Sequence, residues 1–135
     1  MPPSGPAPRT DLGLLVLRLG VGTLLLFHGI YKVTHGIAWL AGPLGKVGLP
    51  PSLAYGVYIG EMVAPALLIL GLWTRVAGLV IAFNMFMAIF LARRADVPKI
   101  NPMGGGWAIE LELLFLVGAL TLALTGGGRY GLGRQ

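Results

Sequence analysis

The residues of this chain that could do chemistry are few, and most of them interrupt apolar runs. Arg18 and His28 stand inside the stretch Leu12–Ile30, Glu61 inside Leu53–Trp73 and Asn84 inside Val76–Ala92. Glu110 and Glu112 lie near the start of Trp107–Thr125, and Lys32 follows the first stretch closely. Carboxylates and an imidazole take and release protons, while Arg and Lys donate to an oxygen that gains charge. Glu61, Glu110 and His28 are therefore candidate proton-relay groups. Arg18, Lys32, Tyr58, Asn84 and Trp107 are candidate substrate contacts. The chain has no Cys, which excludes disulfides, thiolate nucleophiles, Cys-ligated zinc and Cys-ligated iron–sulfur clusters together. His28 and His35 are separated by roughly 10 Å on a helix, too far for one metal ion, so no metal site is expected. The glycines at 104–106 are not a phosphate loop, because no strand precedes them and no GK[ST] follows.

The elements that must position these groups follow from composition. Of the 135 residues, 56% are apolar and 11% charged, against about 25% charged in a soluble domain. With a mean hydropathy of +0.81, a water-soluble globule is excluded. Ten Lys and Arg outnumber five Asp and Glu, but they never form a stripe, so nucleic acid is not the partner. Net positive charge of this kind suits anionic lipid headgroups. The four apolar stretches run 17 to 21 residues each, and about 17–25 cross a hydrocarbon core as a helix. The expected fold is all-α, an integral membrane bundle of four transmembrane helices.

The connections complete that expectation. Residues 1–10 (MPPSGPAPRT) form a disordered tail, residues 11–130 the transmembrane domain and residues 131–135 a C-terminal tail. A signal peptide is the competing reading of the first stretch, but Arg18 lies inside it and no A-x-A site follows. Thr74-Arg75 joins the second and third helices in a tight hairpin. Tyr31–Ser52 carries Trp39, Leu40 and Leu44 on a segment too short to span, and so lies in the interface. This connection and Arg93–Gly106 share one face of the bundle, side B; the termini and the hairpin lie on side A. Four basic residues on side A face five on side B, so the positive-inside rule gives no bias. Long loops are more often the translocated ones, which puts the termini of this multi-pass cell-membrane protein in the cytoplasm.

Helical rise then sets depth. Arg18 lies roughly 9 Å, Asn84 roughly 12 Å and Glu61 roughly 18 Å from side A, so the three are expected in one network. Glu110, His28 and Lys32 fall within about one turn of side B. Arg18, Gly22, Leu25, Gly29 and Lys32 form one stripe on the first helix, with glycines that admit a close neighbour. Tyr58, Glu61, Pro65 and Leu68 share a face of the second, where Pro65 frees the carbonyl of Glu61. Glu110 and Glu112 point to opposite sides of their helix, so only one faces inward. Three buried carboxylates against Arg18 and Lys32 would share a proton with His28. The plainer alternatives are a purely structural Arg18–Glu61 pair, snorkelling Lys32, Arg93 and Arg94, and interfacial belts of Trp39, Tyr55, Trp73, Trp107 and Tyr130.

In order, the chain reads RLG in the first helix, FHGIYK at its end, GLP before the second helix and GE within it. LGLWTR follows at the hairpin, then NM, GGGWAIE and GGRY. This series resembles the DoxX family of small four-helix membrane proteins over essentially residues 12 to 131. By the resemblance, Arg18, His28, Gly29, Lys32, Glu61, Arg75, Glu110, Arg129 and Tyr130 occupy motif positions, and Glu110 rather than Glu112 is the interior carboxylate. The end departs from the pattern, with GGGRYGLG where GPGRYSLD is typical. Related DoxD-type proteins form the membrane subunit of a thiosulfate:quinone oxidoreductase. The resemblance therefore implies a redox-associated, quinone-linked component, with quinone as its cofactor and lipids and a redox partner subunit around it. A homo-oligomer is compatible with this. A non-catalytic membrane anchor or assembly subunit for a soluble oxidoreductase, and a small proton-coupled transporter, stay open beside it.

Overall fold

The computed structural model describes residues 9–133. Residues 1–8 of the expected N-terminal tail and 134–135 of the C-terminal tail lie outside the described residues. Helix α1 covers Arg9–His35, α2 Ala41–Lys46, α3 Pro51–Leu70, α4 Thr74–Ala92 and α5 Glu110–Thr125. Arg9 and Thr10, expected in the tail, open α1, whose first turn carries Asp11, an anion at the positive end of the helix dipole. Three helices, α1, α3 and α4, are long and apolar enough to cross a membrane. The fourth expected span is shorter than its apolar run: α5 has 16 residues, about 24 Å, because Trp107–Ile109 belong to the preceding loop.

Helix α3 packs between α1 and α4, and α5 closes the ring against α4 and α1. Val21 and Leu25, Ala64 and Leu68, Ala77, Ile81 and Met85, and Phe115, Ala119 and Leu122 meet in its core. The outward residues are also large and apolar, among them Leu24, Phe27, Phe83 and Leu114. An apolar exterior around an apolar core is what a lipid solvent permits and water does not.

Helix α3 changes pitch along its length. It starts as a tight turn over Pro51–Tyr55, passes into a π turn over Ile59–Val63, and becomes regular α-helix at Ala64. Pro65 has no N–H for the Glu61 carbonyl, and the Ala64 N–H bonds Ile59 O, five residues back. Such π turns often occur at functional sites, and this one contains Glu61. The hairpin after α3 also differs from expectation. Gly71, at φ 73°, caps α3 in the left-handed conformation, its N–H donating to Leu67 O at 2.8 Å. The link is therefore Gly71–Trp73, and Thr74 and Arg75 are the first residues of α4.

Two glycines set how closely the helices approach. Gly78 backs onto α5, where a Cβ would lie 2.5 Å from Ala119 O. Gly29 lies against the Glu61 carbonyl so tightly that a Cβ would overlap it. Gly29→Ala must push α1 off the π turn, and overpacking of this kind costs about 1–3 kcal/mol. Gly20→Ala, on the same helix with nothing within 4 Å of the added Cβ, should be neutral or stabilising. Thermal melts in detergent that dropped equally for both variants would contradict this packing.

The connection between α1 and α3, expected over Tyr31–Ser52, is residues 36–50, and it folds back over the side-B ends of α3 and α4. Ile37, Leu40, Leu44 and Ala54 are buried together, with Leu49, Val57, Tyr58 and Leu91 against them. On the other side of the bundle the C-terminal segment returns to the hairpin, where the Leu132 N–H donates to Leu70 O at 3.1 Å.

Candidate functional site

Lys32 projects from the last turns of α1 onto the π turn of α3. Its Nζ donates to both Glu61 oxygens, at 2.8 and 2.7 Å. The Asn84 amide, from α4, donates to Glu61 Oε2 at 2.9 Å. Glu61 is 2% exposed and Lys32 21%, so the carboxylate is sealed while the ammonium remains reachable. Among the described residues two of the three Lys32 N–H bonds are used, leaving one. Tyr58 steadies the cation from its backbone: its hydroxyl donates to Lys32 O at 3.3 Å. Charge here is balanced within the pair, which is the condition for holding a carboxylate among apolar helices.

This cluster is the polar end of a cavity of about 450 Å³ between α3, α4 and the folded-back connection. Leu40, Leu44 and Leu49 line it from above, Val57 and Gly60 from α3, and Phe83 and Met87 from α4. Trp39, Leu53 and Phe83, which line it, are exposed, so the cavity reaches the protein surface. Ligand pockets of roughly 300–1,000 Å³ that are mostly apolar with a few convergent polar groups have this character.

Arg18 is not part of the cluster. Its Nε donates to Leu68 O at 3.0 Å, Nη1 to Gly127 O at 3.0 Å and Nη2 to Tyr130 O at 3.1 Å. The expected network of Arg18 with Glu61 and Asn84 is thus replaced by Lys32–Glu61–Asn84. The reason is that the end of α3 and the segment after α5 converge beside Arg18, and their carbonyls, with the negative dipole ends of the two helices, attract a fixed cation. Lys32 takes its place because α1 runs to His35, five residues beyond the apolar stretch, and remains helical where Lys32 faces α3.

The remaining candidates divide. His28 is exposed, with its ring edge-on to Phe115 at 5.8 Å. Glu110 is exposed beside Gly106 and lines neither the large cavity nor a smaller one near His28. Glu112 is the inward carboxylate instead, half-buried, 3.9 Å from Arg93 Nε. Two residues apart on a helix, the carboxylates face nearly opposite sides, and α5 turns the Glu112 side to the bundle. Trp107 donates its indole N–H to Val97 O and so pins the side-B loop rather than facing the cavity. Trp39, expected only as a belt residue, lines the cavity. The missed lining residues on the folded-back connection had one signal, the apolar Trp39, Leu40 and Leu44 among glycines.

The family model for DoxX matches residues 13–94. The chain belongs to the DoxX family. The matched span contains the whole of Lys32–Glu61–Asn84 and every residue lining the large cavity, while Glu112 lies beyond it. This DoxX protein is 31% identical over 116 residues to "Putative oxidoreductase CatD" of Bacillus subtilis, covering 86% of this chain and 81% of that protein. It is 30% identical to "Uncharacterized membrane protein Rv3486" of Mycobacterium tuberculosis over 90% of this chain and 80% of the other. A Haemophilus influenzae protein is 36% identical over 76% of the chain and 78% of its own length. No solved structure matches the chain. The DoxX assignment and the apolar helices together make this a membrane protein.

Proposed function

We propose that this DoxX protein is a redox-associated membrane component that receives a quinone in the cavity between α3 and α4. The observation that carries the reading is the apolar cavity of about 450 Å³ ending on Lys32, Glu61 and Asn84. Its volume and mostly apolar lining suit a lipid-soluble ring with a carbonyl at the polar end. The free N–H of Lys32 would donate to that carbonyl, and the Glu61 carboxylate would exchange a proton beside it. A quinone supplies electron and proton acceptance when bound; the chain's part is to bind, orient and exclude water. The name of the Bacillus subtilis relative supports an oxidoreductase setting. In this reading the chain crosses the cell membrane four times, α5 with its preceding loop making the last crossing, and both termini are cytoplasmic. Electrons would come from a redox partner subunit.

The test is binding of short-chain ubiquinone and menaquinone analogues to the purified protein in nanodiscs. Gly56 lines the cavity, and a Cβ there meets nothing within 4 Å, so Gly56→Phe should fold normally and obstruct the cavity. We expect saturable binding by wild type, weakened at least about tenfold, or 1.4 kcal/mol, in Gly56→Phe. No saturable binding by wild type, or equal binding by both, overturns the quinone reading and leaves the non-catalytic anchor.

A further inference from the structure

The Lys32–Glu61 pair borders a second, smaller cavity. It has a volume of about 70 Å³ and lies between α1, α4 and α5, lined by His28, Lys32, Glu61, Met85, Glu112 and Phe115. The large cavity contains neither His28 nor Glu112. The pair therefore forms a partition, apolar on the α3–α4 side and polar on the α1–α5 side. About 10–15 Å³ suffices for one water, so the small cavity has room for more than one, with an imidazole, two carboxylates and an ammonium as hydrogen-bonding partners. His28 stands exposed at its rim, which connects it to the outside.

We infer that the small cavity is the proton entry to Glu61, with His28 and Glu112 as the groups that pass the proton inward. The charged and titratable groups facing Glu61 are Lys32 and His28 from α1 and Glu112 from α5. Arg93 lies 3.9 Å from Glu112 and 3.2 Å from Asp96, so it holds the outer carboxylate in place. The step moves one proton and no electrons. A proton taken up from outside at His28 is relayed through Glu112 and the cavity water, each group regaining a proton as it gives one. An O–H forms on a Glu61 oxygen, and Lys32 keeps all its protons, so the pair goes from neutral to singly positive. That positive charge faces the large cavity, where an anionic ligand atom would take up the proton. Only this last use rests on the quinone reading; the entry path does not.

The two sides of the ion pair respond to different substitutions. Full-length protein in nanodiscs is followed by infrared spectroscopy after a pH jump, with the Glu61 carboxyl band assigned by its loss in Glu61→Gln. His28→Leu and Glu112→Gln should each slow protonation of Glu61 by at least about tenfold, and leave quinone-analogue affinity unchanged. Gly56→Phe should do the reverse, weakening the analogue while Glu61 protonates at the wild-type rate. The entry path is overturned by a Glu61 rate unchanged in both His28→Leu and Glu112→Gln, or by one slowed in Gly56→Phe. A Glu61 carboxylate that stays ionised throughout about pH 5 to 9 overturns it equally. Failure of the analogue to bind wild type, with the rates as expected, overturns the quinone reading alone.

Discussion

Arg18→Met is expected to lower the unfolding free energy by about 3–5 kcal/mol. The guanidinium is 1% exposed and holds three carbonyls, Leu68 O at the end of α3 and Gly127 O and Tyr130 O after α5. Methionine matches the stem in volume but donates nothing, so three carbonyls lose the guanidinium donor, two of them in buried bonds, and two helix ends lose their counter-charge. Arg18→Lys should recover only part of the loss, since one ammonium cannot reproduce the fixed fork of the guanidinium. Equilibrium unfolding in mixed micelles measures both. Near wild-type stability for Arg18→Met would mean that these carbonyls find other donors. The loss should leave quinone-analogue affinity unaltered in the folded fraction, because Arg18 lines neither cavity.

Lys32→Met and Glu61→Gln form the second large effect. Removing the ammonium leaves Glu61, 2% exposed, with only Asn84 as a donor, and an unpaired buried charge costs about 3–5 kcal/mol. Glu61→Gln leaves Lys32 without a counter-ion, though more exposed, and should cost less. The two are in contact, so the double mutant should be more stable than the sum of the singles by about 1–3 kcal/mol. Arg18→Gln with Glu61→Gln should instead add to within about 0.5 kcal/mol, since their hydrogen bonds share no partner. Coupling between Arg18 and Glu61, or none between Lys32 and Glu61, contradicts the arrangement described above. Analogue binding should be lost in Lys32→Met and retained in folded Glu61→Gln, because only the former removes the donor facing the cavity.

Much of this protein is legible without coordinates. Apolar runs long enough to span lipid, separated by Gly, Pro and charge, specify helices and their order, because in an apolar solvent the backbone has no other way to satisfy its polar groups. The stripe of Arg18, Gly22, Leu25 and Gly29 is legible for the same reason: helical periodicity is local. So is the disturbance at Glu61, since Pro65 lacks the N–H that its carbonyl needs. Which cation meets Glu61 is different. Arg18 and Lys32 both lie on the stripe, and depth counted along separate straight helices favours Arg18. The choice falls to where the ends of α3 and α5 converge and to how far α1 continues past the apolar run, both properties of the packed ring. The same holds for Glu112 over Glu110, decided by which face α5 turns to α1 and α4, and for Trp39, Leu40 and Leu44, which line a cavity only once their segment folds back over α3 and α4. Sequence alone determined the elements, because backbone hydrogen bonding and periodic burial act within a few residues. Tertiary structure decided the partners, because each buried charge goes to whichever unsatisfied group the packing brings within reach.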